Sequence, residues 1–331
     1  MSEVYLVTGG TGYVAGFVLL QLLEQGAKVK TSIRSLAKEA QLRESLYSSS
    51  DKLTKEIVDA NLKVYQADLT SDANWPEIFE DVTYVLHVAS PFPSSPPKDP
   101  NDLIIPAREG TLRILGYAAE TNTVKHVVVT SSFAAIGFGH AEVKPLYTEK
   151  DWTETENLDR PYTVSKTLAE KAAWEYVEAK PVQYGLTVIN PVLVIGPSLK
   201  KQVTNSTSLN IIQGLIDGSK KNGVDPSSVH LVDVRDVAKL HILALTTEEA
   251  LGERFLAATG STLTWVDAAN ILRSRIPEKY VANLPTKETG PSETPKLISV
   301  EKAKKTFNWT PISDEESLVA TVEGIIQEGK V

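Results

Sequence analysis

Two short stretches carry side chains that together could move a proton. Tyr162-Thr163-Val164-Ser165-Lys166 sets a phenol and an ammonium four positions apart, which on a helix puts both on one face. A tyrosine near its ordinary pKa of about 10 is a poor acid–base catalyst at neutral pH. A neighbouring lysine cation favours the phenolate and lowers that pKa. Such a pair can exchange a proton with a substrate oxygen. The second stretch is Val129-Thr130-Ser131-Ser132-Phe133. A hydroxyl at the carboxyl end of a strand there can hydrogen-bond the same oxygen and steady a developing alkoxide. Strand alternation lets one of Ser131 and Ser132 face the site while the other points away. Either hydroxyl has an ordinary alternative as a helix cap or a loop hydrogen bond.

A third stretch could hold a nucleotide. Thr8-Gly9-Gly10-Thr11-Gly12-Tyr13-Val14-Ala15-Gly16 follows an apolar run and opens a helical one. Gly9 and Gly12 have the spacing of a nucleotide-binding turn, with Ala15 in the place of its third glycine. Small residues let the backbone approach a pyrophosphate, and the helix N-terminus supplies oriented N–H groups. Gly9, Thr11, Gly12, Tyr13 and Val14 are therefore candidate ligand contacts; the alternative is a tight turn with no ligand. At the end of the second apolar run, an acid would bind the ribose 2′-hydroxyl of NAD. The chain has Thr31-Ser32-Ile33-Arg34-Ser35 there, with Lys38 soon after. A guanidinium and an ammonium suit a 2′-phosphate, so NADP(H) is expected over NAD(H). Asp68, followed by Leu69, closes the third run, where it either accepts from an adenine amino group or caps a helix.

These residues need a sheet to bring them together, and the alternation of the chain supplies one. Val4–Thr8, Lys28–Ile33, Leu62–Ala67, Tyr84–Val88, His126–Thr130 and Leu186–Asn190 read as buried strands. Helices are predicted over Phe17–Gln25, Leu103–Thr121 and Thr163–Lys180. Near-continuous apolar strands separated by helices indicate an α/β fold, a Rossmann-type doubly wound parallel sheet. Its ligands sit at the carboxyl ends of the strands. Residues 1–190 are expected to form the dinucleotide-binding domain, with a returning strand and helix near 229–246. Residues 191–331 are expected to form mainly a smaller substrate-binding lobe, with short strands and two helices after about Glu253. The Pro/Ser-rich stretch from Pro91 to Pro100 reads as a loop at the functional edge of the sheet.

Composition narrows the partners. The 331 residues carry a formal net charge of −8, which disfavours nucleic acid and anionic membranes. There is no cysteine, which excludes thiolate metal sites and cysteine nucleophiles. No secretory leader or membrane span is read, and a cytoplasmic protein is expected. The five histidines form no ligand-spaced pair, so no metal is expected. A monomer or homodimer acting on a small molecule fits these features.

Taken together, the stretches resemble the extended short-chain dehydrogenase/reductase superfamily. Within it they look most like the dihydroflavonol 4-reductase-like branch, especially the microbial carbonyl, aldehyde and methylglyoxal reductases. The resemblance runs from the glycine turn through Leu86-His87-Val88-Ala89-Ser90-Pro91-Phe92 and Val129–Ser132 to Tyr162–Lys166. It continues through Asn190-Pro191-Val192 to Val232-Asp233-Val234-Arg235-Asp236-Val237-Ala238. It implies that Ser132 is the catalytic serine, Tyr162 the proton donor, and Lys166 the residue that holds the nicotinamide ribose and lowers the tyrosine pKa. It implies cofactor contacts at Val88, Ala89, Ser90, Thr130, Pro191 and Val192, the last through its backbone, and at Ser208. Phe92, Phe133 and the segment after Pro197 are expected to line the substrate pocket.

The departures are specific. Where many relatives carry a relay asparagine, this chain has Ala107-Arg108-Glu109-Gly110-Thr111, so no relay asparagine is carried over. Where plant flavonoid reductases have a polar amide, it has Ile136-Gly137. The aromatic–cysteine motif of cinnamoyl-CoA reductases is absent. The resemblance then implies NADPH-dependent reduction of a small aldehyde or ketone. One rival is epimerase or dehydratase chemistry on a sugar nucleotide, which needs tightly retained NAD. Another is a non-catalytic NADP(H)-binding sensor.

Overall fold

A computed structural model of the chain describes residues 3–91, 97–156, 159–202, 206–291 and 293–331. Its first half alternates strands and helices: β1 (Val4–Thr8), α1 (Tyr13–Glu24), β2 (Lys28–Ile33), α2 (Glu39–Ser48), α3 (Lys55–Asn61), β3 (Leu62–Gln66) and α4 (Trp75–Phe79). Then follow β4 (Tyr84–His87), α5 (Asn101–Glu120), β5 (His126–Thr130), α6 (Pro161–Ala179) and β6 (Gly185–Pro191). The second half holds β7 (Leu193–Ile195), α7 (Thr207–Ile216), β8 (Ser228–Val229), β9 (Leu231–Asp233), α8 (Val234–Thr246), β10 (Arg254–Ala257) and β11 (Leu263–Thr264). It ends with α9 (Trp265–Arg273), α10 (Glu278–Val281), α11 (Glu301–Phe307) and α12 (Asp314–Gln327).

Seven strands form one sheet in the order β10-β6-β5-β4-β1-β2-β3. All of its pairings are parallel. β1, β4 and β5 are buried on both faces, which is why their sequences read as unbroken apolar runs. One face packs α1, α2 and α8 in a core that includes Leu19, Leu23, Leu42, Leu46 and Val237. The other packs α4, α5 and α6 around Trp75, Phe79, Ile114, Leu115 and Ala173. The strand order reverses between β1 and β4, and that crevice is where an open sheet of this kind binds its ligand. A third core, with Ile212, Leu215, Leu272, Leu318 and Val322, binds α7, α9 and α12 into the smaller lobe. No helix among the described residues is long and apolar enough to cross a membrane.

The structure corrects several sequence expectations. α1 begins at Tyr13 rather than Phe17, because extended Gly12 is its N-cap and the helix starts directly after the turn. α2, α3 and α4 were not anticipated; at 10, 7 and 5 residues they are too short for a clear period and depend on packing. The strand that returns to the main sheet is β10, beside β6, not the chain near residue 229. There, β9 instead pairs with β7 in a separate two-stranded sheet. β10 has only four residues and starts on an arginine, so its pattern is faint. Among the described residues four helices, not two, follow it.

Candidate active site

The glycine turn sits at the carboxyl end of β1, against the chain leaving β4. Gly9 has φ +74°, and a Cβ on it would stand 2.9 Å from Ala89 Cβ. That backbone conformation and that approach both require glycine. The Gly9 N–H donates to Ser32 Oγ at 3.1 Å, and the Thr8 hydroxyl accepts from the Ala89 N–H at 3.0 Å. β1, β2 and the end of β4 are thereby locked into one cradle. Gly12 gives α1 no side-chain cap, so the N–H groups of the first turn remain available to an anion. Thr11, Lys38, Gln41, Leu42, Ser45 and Gln202 surround a cavity of about 110 Å³ beside the turn. Gln202 donates to the Gly12 carbonyl at 3.1 Å, while its buried Oε1 has no partner among the described residues. An uncapped helix start and a turn that excludes a Cβ fit a pyrophosphate, and the orphaned Gln202 acceptor fits a donor such as a hydroxyl elsewhere on a dinucleotide.

Arg34 and Lys38 lie exposed beyond β2, and no acid follows β2 in their place. The Asp68 carboxyl is held below its usual range, first by bonds from the Thr70 hydroxyl and N–H and in smaller part by Arg34. Asp68 does not cap a helix: it closes a turn onto Thr70, and Asn74 precedes α4. The Tyr13 phenol is buried and donates to the Gly196 carbonyl at 2.9 Å, so only its backbone faces the cradle. The Val192 N–H already donates to Ala257 at 3.2 Å, which leaves its carbonyl for a ligand. Ser208 stands in the first turn of α7.

Ser131 and Ser132 diverge at the end of β5, as strand geometry requires. Ser131 is buried and donates to Glu170 at 2.5 Å. Ser132 faces the other way: its hydroxyl caps the Ala134 N–H at 3.1 Å and hydrogen-bonds with Tyr162. Tyr162 and Lys166 lie on the first two turns of α6. Tyr162 is 36% exposed as a residue, so the cleft reaches its ring. The protein packed around its hydroxyl nonetheless raises the phenol pKa, and hydrogen bonding with Ser132 pulls it partly back. Lys166 contributes no resolved lowering. Its ammonium instead donates to the Thr130 carbonyl at 3.1 Å, while the Thr130 hydroxyl pairs with His241 at 2.6 Å. Burial brings Lys166 down to about 8, and the Glu170 charge opposes that fall. In this form of the site, the direct electrostatic help to Tyr162 comes from Ser132.

Sequence reading missed the layer beneath. Glu170 is 1% exposed, one turn on from Lys166. It accepts from Ser131 and from Asn190 Nδ2 at 2.7 Å, and Arg254 Nε lies 2.7 Å from its other oxygen. That last contact is electrostatic, since the N–H is not aimed for a hydrogen bond. Arg254 also lies over the Trp152 ring, 3.7 Å from its centroid. Ser90, Thr111, Ser131, Lys166 and Glu170 line a cavity of about 10 Å³, room for one water. Thr111, not Glu109, faces this cavity; Glu109 is exposed and paired with Arg108. The one sequence signal for Glu170 was its i+4 spacing from Lys166.

The expected pocket walls change as well. Phe133 is 8% exposed, and its ring packs on Phe138, Tyr147 and His230. It is a wedge in a core with Leu256 and Ile298 rather than an open wall. After Pro197 the chain turns to the nucleotide cradle, where Leu199 meets Gly16. Phe92 lies outside the described residues. His87 is buried beside Thr8, and burial holds its pKa at about 3, so it stays neutral.

Comparison with known proteins places this geometry. Residues 5–258 match the model of the NAD dependent epimerase/dehydratase family. The ketoreductase azaE of Aspergillus niger is 35% identical, over 78% of this chain and 79% of its own. An anthocyanidin reductase of Vitis vinifera is 33% identical, over 97% of this chain and 96% of its own. The crystal structure of yeast methylglyoxal/isovaleraldehyde reductase Gre2, complexed with NADPH, aligns with a TM-score of 0.86 at 27% identity, covering 99% of this chain and 100% of that one. The chain belongs to the NAD dependent epimerase/dehydratase family, among the extended short-chain dehydrogenases/reductases.

Proposed function

We propose that the protein is an NADPH-dependent reductase of small aldehydes and ketones. The observation that carries this reading is the meeting of Ser132 and Tyr162 at the carboxyl edge of the sheet, with the Lys166 ammonium one helical turn away. The NADPH-complexed likeness and the relatives named as reductases support it. Arg34 and Lys38, with no acid in their place, support the phosphorylated cofactor over NAD. The first turn of α1 would hold the pyrophosphate, and Lys166 the nicotinamide-side ribose. Bound there, NADPH supplies a hydride to the carbonyl carbon. The chain's residues manage the oxygen: Ser132 donates a hydrogen bond to it, and Tyr162 gives it the proton that completes the alcohol. Lys166 supplies positive charge as the phenolate forms. Residues 1–190 together with α8 and β10 are assigned to the cofactor and the rest of 191–331 mainly to the substrate. A cysteine-free chain suits a reducing cytoplasm.

The test is a panel of small aldehydes, α-keto aldehydes, ketones and ketoesters, followed by loss of NADPH absorbance. Turnover that disappears in Tyr162→Phe, with NADPH binding retained, is the expected result. Full activity in that variant refutes the proton-donor assignment. No net NADPH consumption with any carbonyl would favour the epimerase reading.

A further inference from the structure

The described structure sets two cations against one ring beside the catalytic residues. The Arg160 guanidinium lies 5.4 Å from the centroid of Phe138, and Lys296 Nζ lies 4.0 Å from the same centroid. Arg160 stands two residues before Tyr162. Phe138 packs, at 5.7 Å between centroids, on Phe133, the residue after Ser132. Both cations are thus one step from the proton-transfer site: Arg160 along the chain to Tyr162, and both through Phe138 to Phe133 beside Ser132. Three separate segments converge here: the turn after β5, the start of α6 and the chain before α11.

Neither cation has a carboxylate partner in an ion pair among the described residues, although Lys144, Lys302 and Arg275 nearby in sequence each do. Glu293 attracts Lys296 only as a distant charge, and Arg160 repels it. Lys296 is half-buried, and loss of hydration is the largest influence on its ammonium. A desolvated, unpaired cation next to a second cation is unfavourable until an anion arrives. The backbone behind it is fixed. His230 Nε2 lies 2.6 Å from the Lys296 carbonyl, and the Lys296 N–H donates to Ser228 Oγ at 3.3 Å. His230 in turn packs on Phe133 at 6.1 Å. Lys296 is thus held at the rim rather than left to wander in solvent. The chain as a whole carries a net charge of −8, so the general field repels anions. A local cationic pair is what would admit one.

We propose that Arg160 and Lys296 form a cationic rim that selects carbonyl substrates carrying a carboxylate, holding it while the carbonyl meets Ser132 and Tyr162. The inference rests on the reading that Ser132 and Tyr162 face the reacting carbonyl. In it, the half-buried Lys296 is the stronger contact. Exposed Arg160 is the weaker, because solvent screens it.

A matched pair of substrates tests this: 4-oxobutanoate and its methyl ester, which share one aldehyde and differ in charge. The readout is the acid-to-ester ratio of kcat/KM with NADPH. The wild-type protein should favour the acid. Lys296→Met keeps the aliphatic stem and should cut the ratio about tenfold, the worth of one charge-assisted hydrogen bond. Arg160→Met should cut it about two- to fivefold, and Lys296→Glu should invert it. Added salt should lower kcat/KM for the acid in the wild-type protein and spare the ester. That arm needs no variant to fold. A ratio that stays within about twofold in every variant, or an acid and ester equally indifferent to salt, overturns the proposal. If the ester is reduced and the acid is not, the rim is wrong while carbonyl reduction stands. If neither is reduced, the rim proposal falls, and carbonyl reduction is decided separately by the wider substrate panel.

Discussion

Glu170 offers the sharpest test of how the site is tuned. Lys166 sits near pKa 8 because burial outweighs the Glu170 charge that supports its protonated form. The perturbation is Glu170→Gln, which keeps the shape and removes the charge. At an effective dielectric constant of about 20, a charge roughly 6 Å away on the next helical turn contributes about 3 kcal/mol. Arg254 offsets part of it, leaving about one to two pKa units. The sign follows directly. If the ammonium is needed for proton transfer, activity is present below its pKa and lost as pH rises through it. The wild-type protein should therefore show an alkaline limb in kcat/KM near pH 8. In Glu170→Gln the limb should move down by one to two units, to about pH 6–7. Arg254→Met removes the opposing cation and should move it up. The assay is initial-rate NADPH oxidation across that pH range with one reducible carbonyl. Breaking the buried pair costs about 3–5 kcal/mol, so thermal unfolding must first show the variants folded at the assay temperature. A folded Glu170→Gln enzyme with an unmoved limb would refute the claim that Glu170 supports the Lys166 charge.

Other expectations follow from the same geometry. Ser132→Ala should lower kcat by about 10²-fold, the loss of one oxyanion donor. Ser131→Ala should instead lower the melting temperature, because it leaves a buried Glu170 oxygen short of a donor; equal kcat losses in the two would show their roles misassigned. Arg34→Ala should raise KM for NADPH about tenfold or more and leave NADH nearly unchanged; an unaltered preference would remove the 2′-phosphate assignment. Gly9→Ala should abolish dinucleotide binding, measured by nicotinamide fluorescence, since φ +74° and Ala89 at 2.9 Å leave no room for a methyl.

The local pattern carried the doubly wound sheet because burial on both faces makes each strand an unbroken apolar run. β1, β2 and β5 could be bounded to the residue. The glycine turn and the Tyr162/Lys166 spacing were legible for a similar reason: their chemistry depends on neighbours only a few residues away. α2, α3 and α4 were not legible, because short helices take their stability from packing that no window contains. β10 was lost because four residues at a sheet edge leave little pattern.

The sequence by itself determined which groups were present: a phenol, an ammonium, two serines, a turn that needs glycine and a cationic end to β2. Only the tertiary structure decided which way they point. It sent Ser131 inward to Glu170 and Ser132 outward to Tyr162, and turned Phe133 from a pocket wall into a wedge. It put Glu170, Asn190 and Arg254 under Lys166, and Arg160 and Lys296 around Phe138, from segments far apart in the chain. Side-chain periodicity reports burial along a single element. Electrostatics at a site is the sum over every element that ends there, and that sum exists only once the chain has folded.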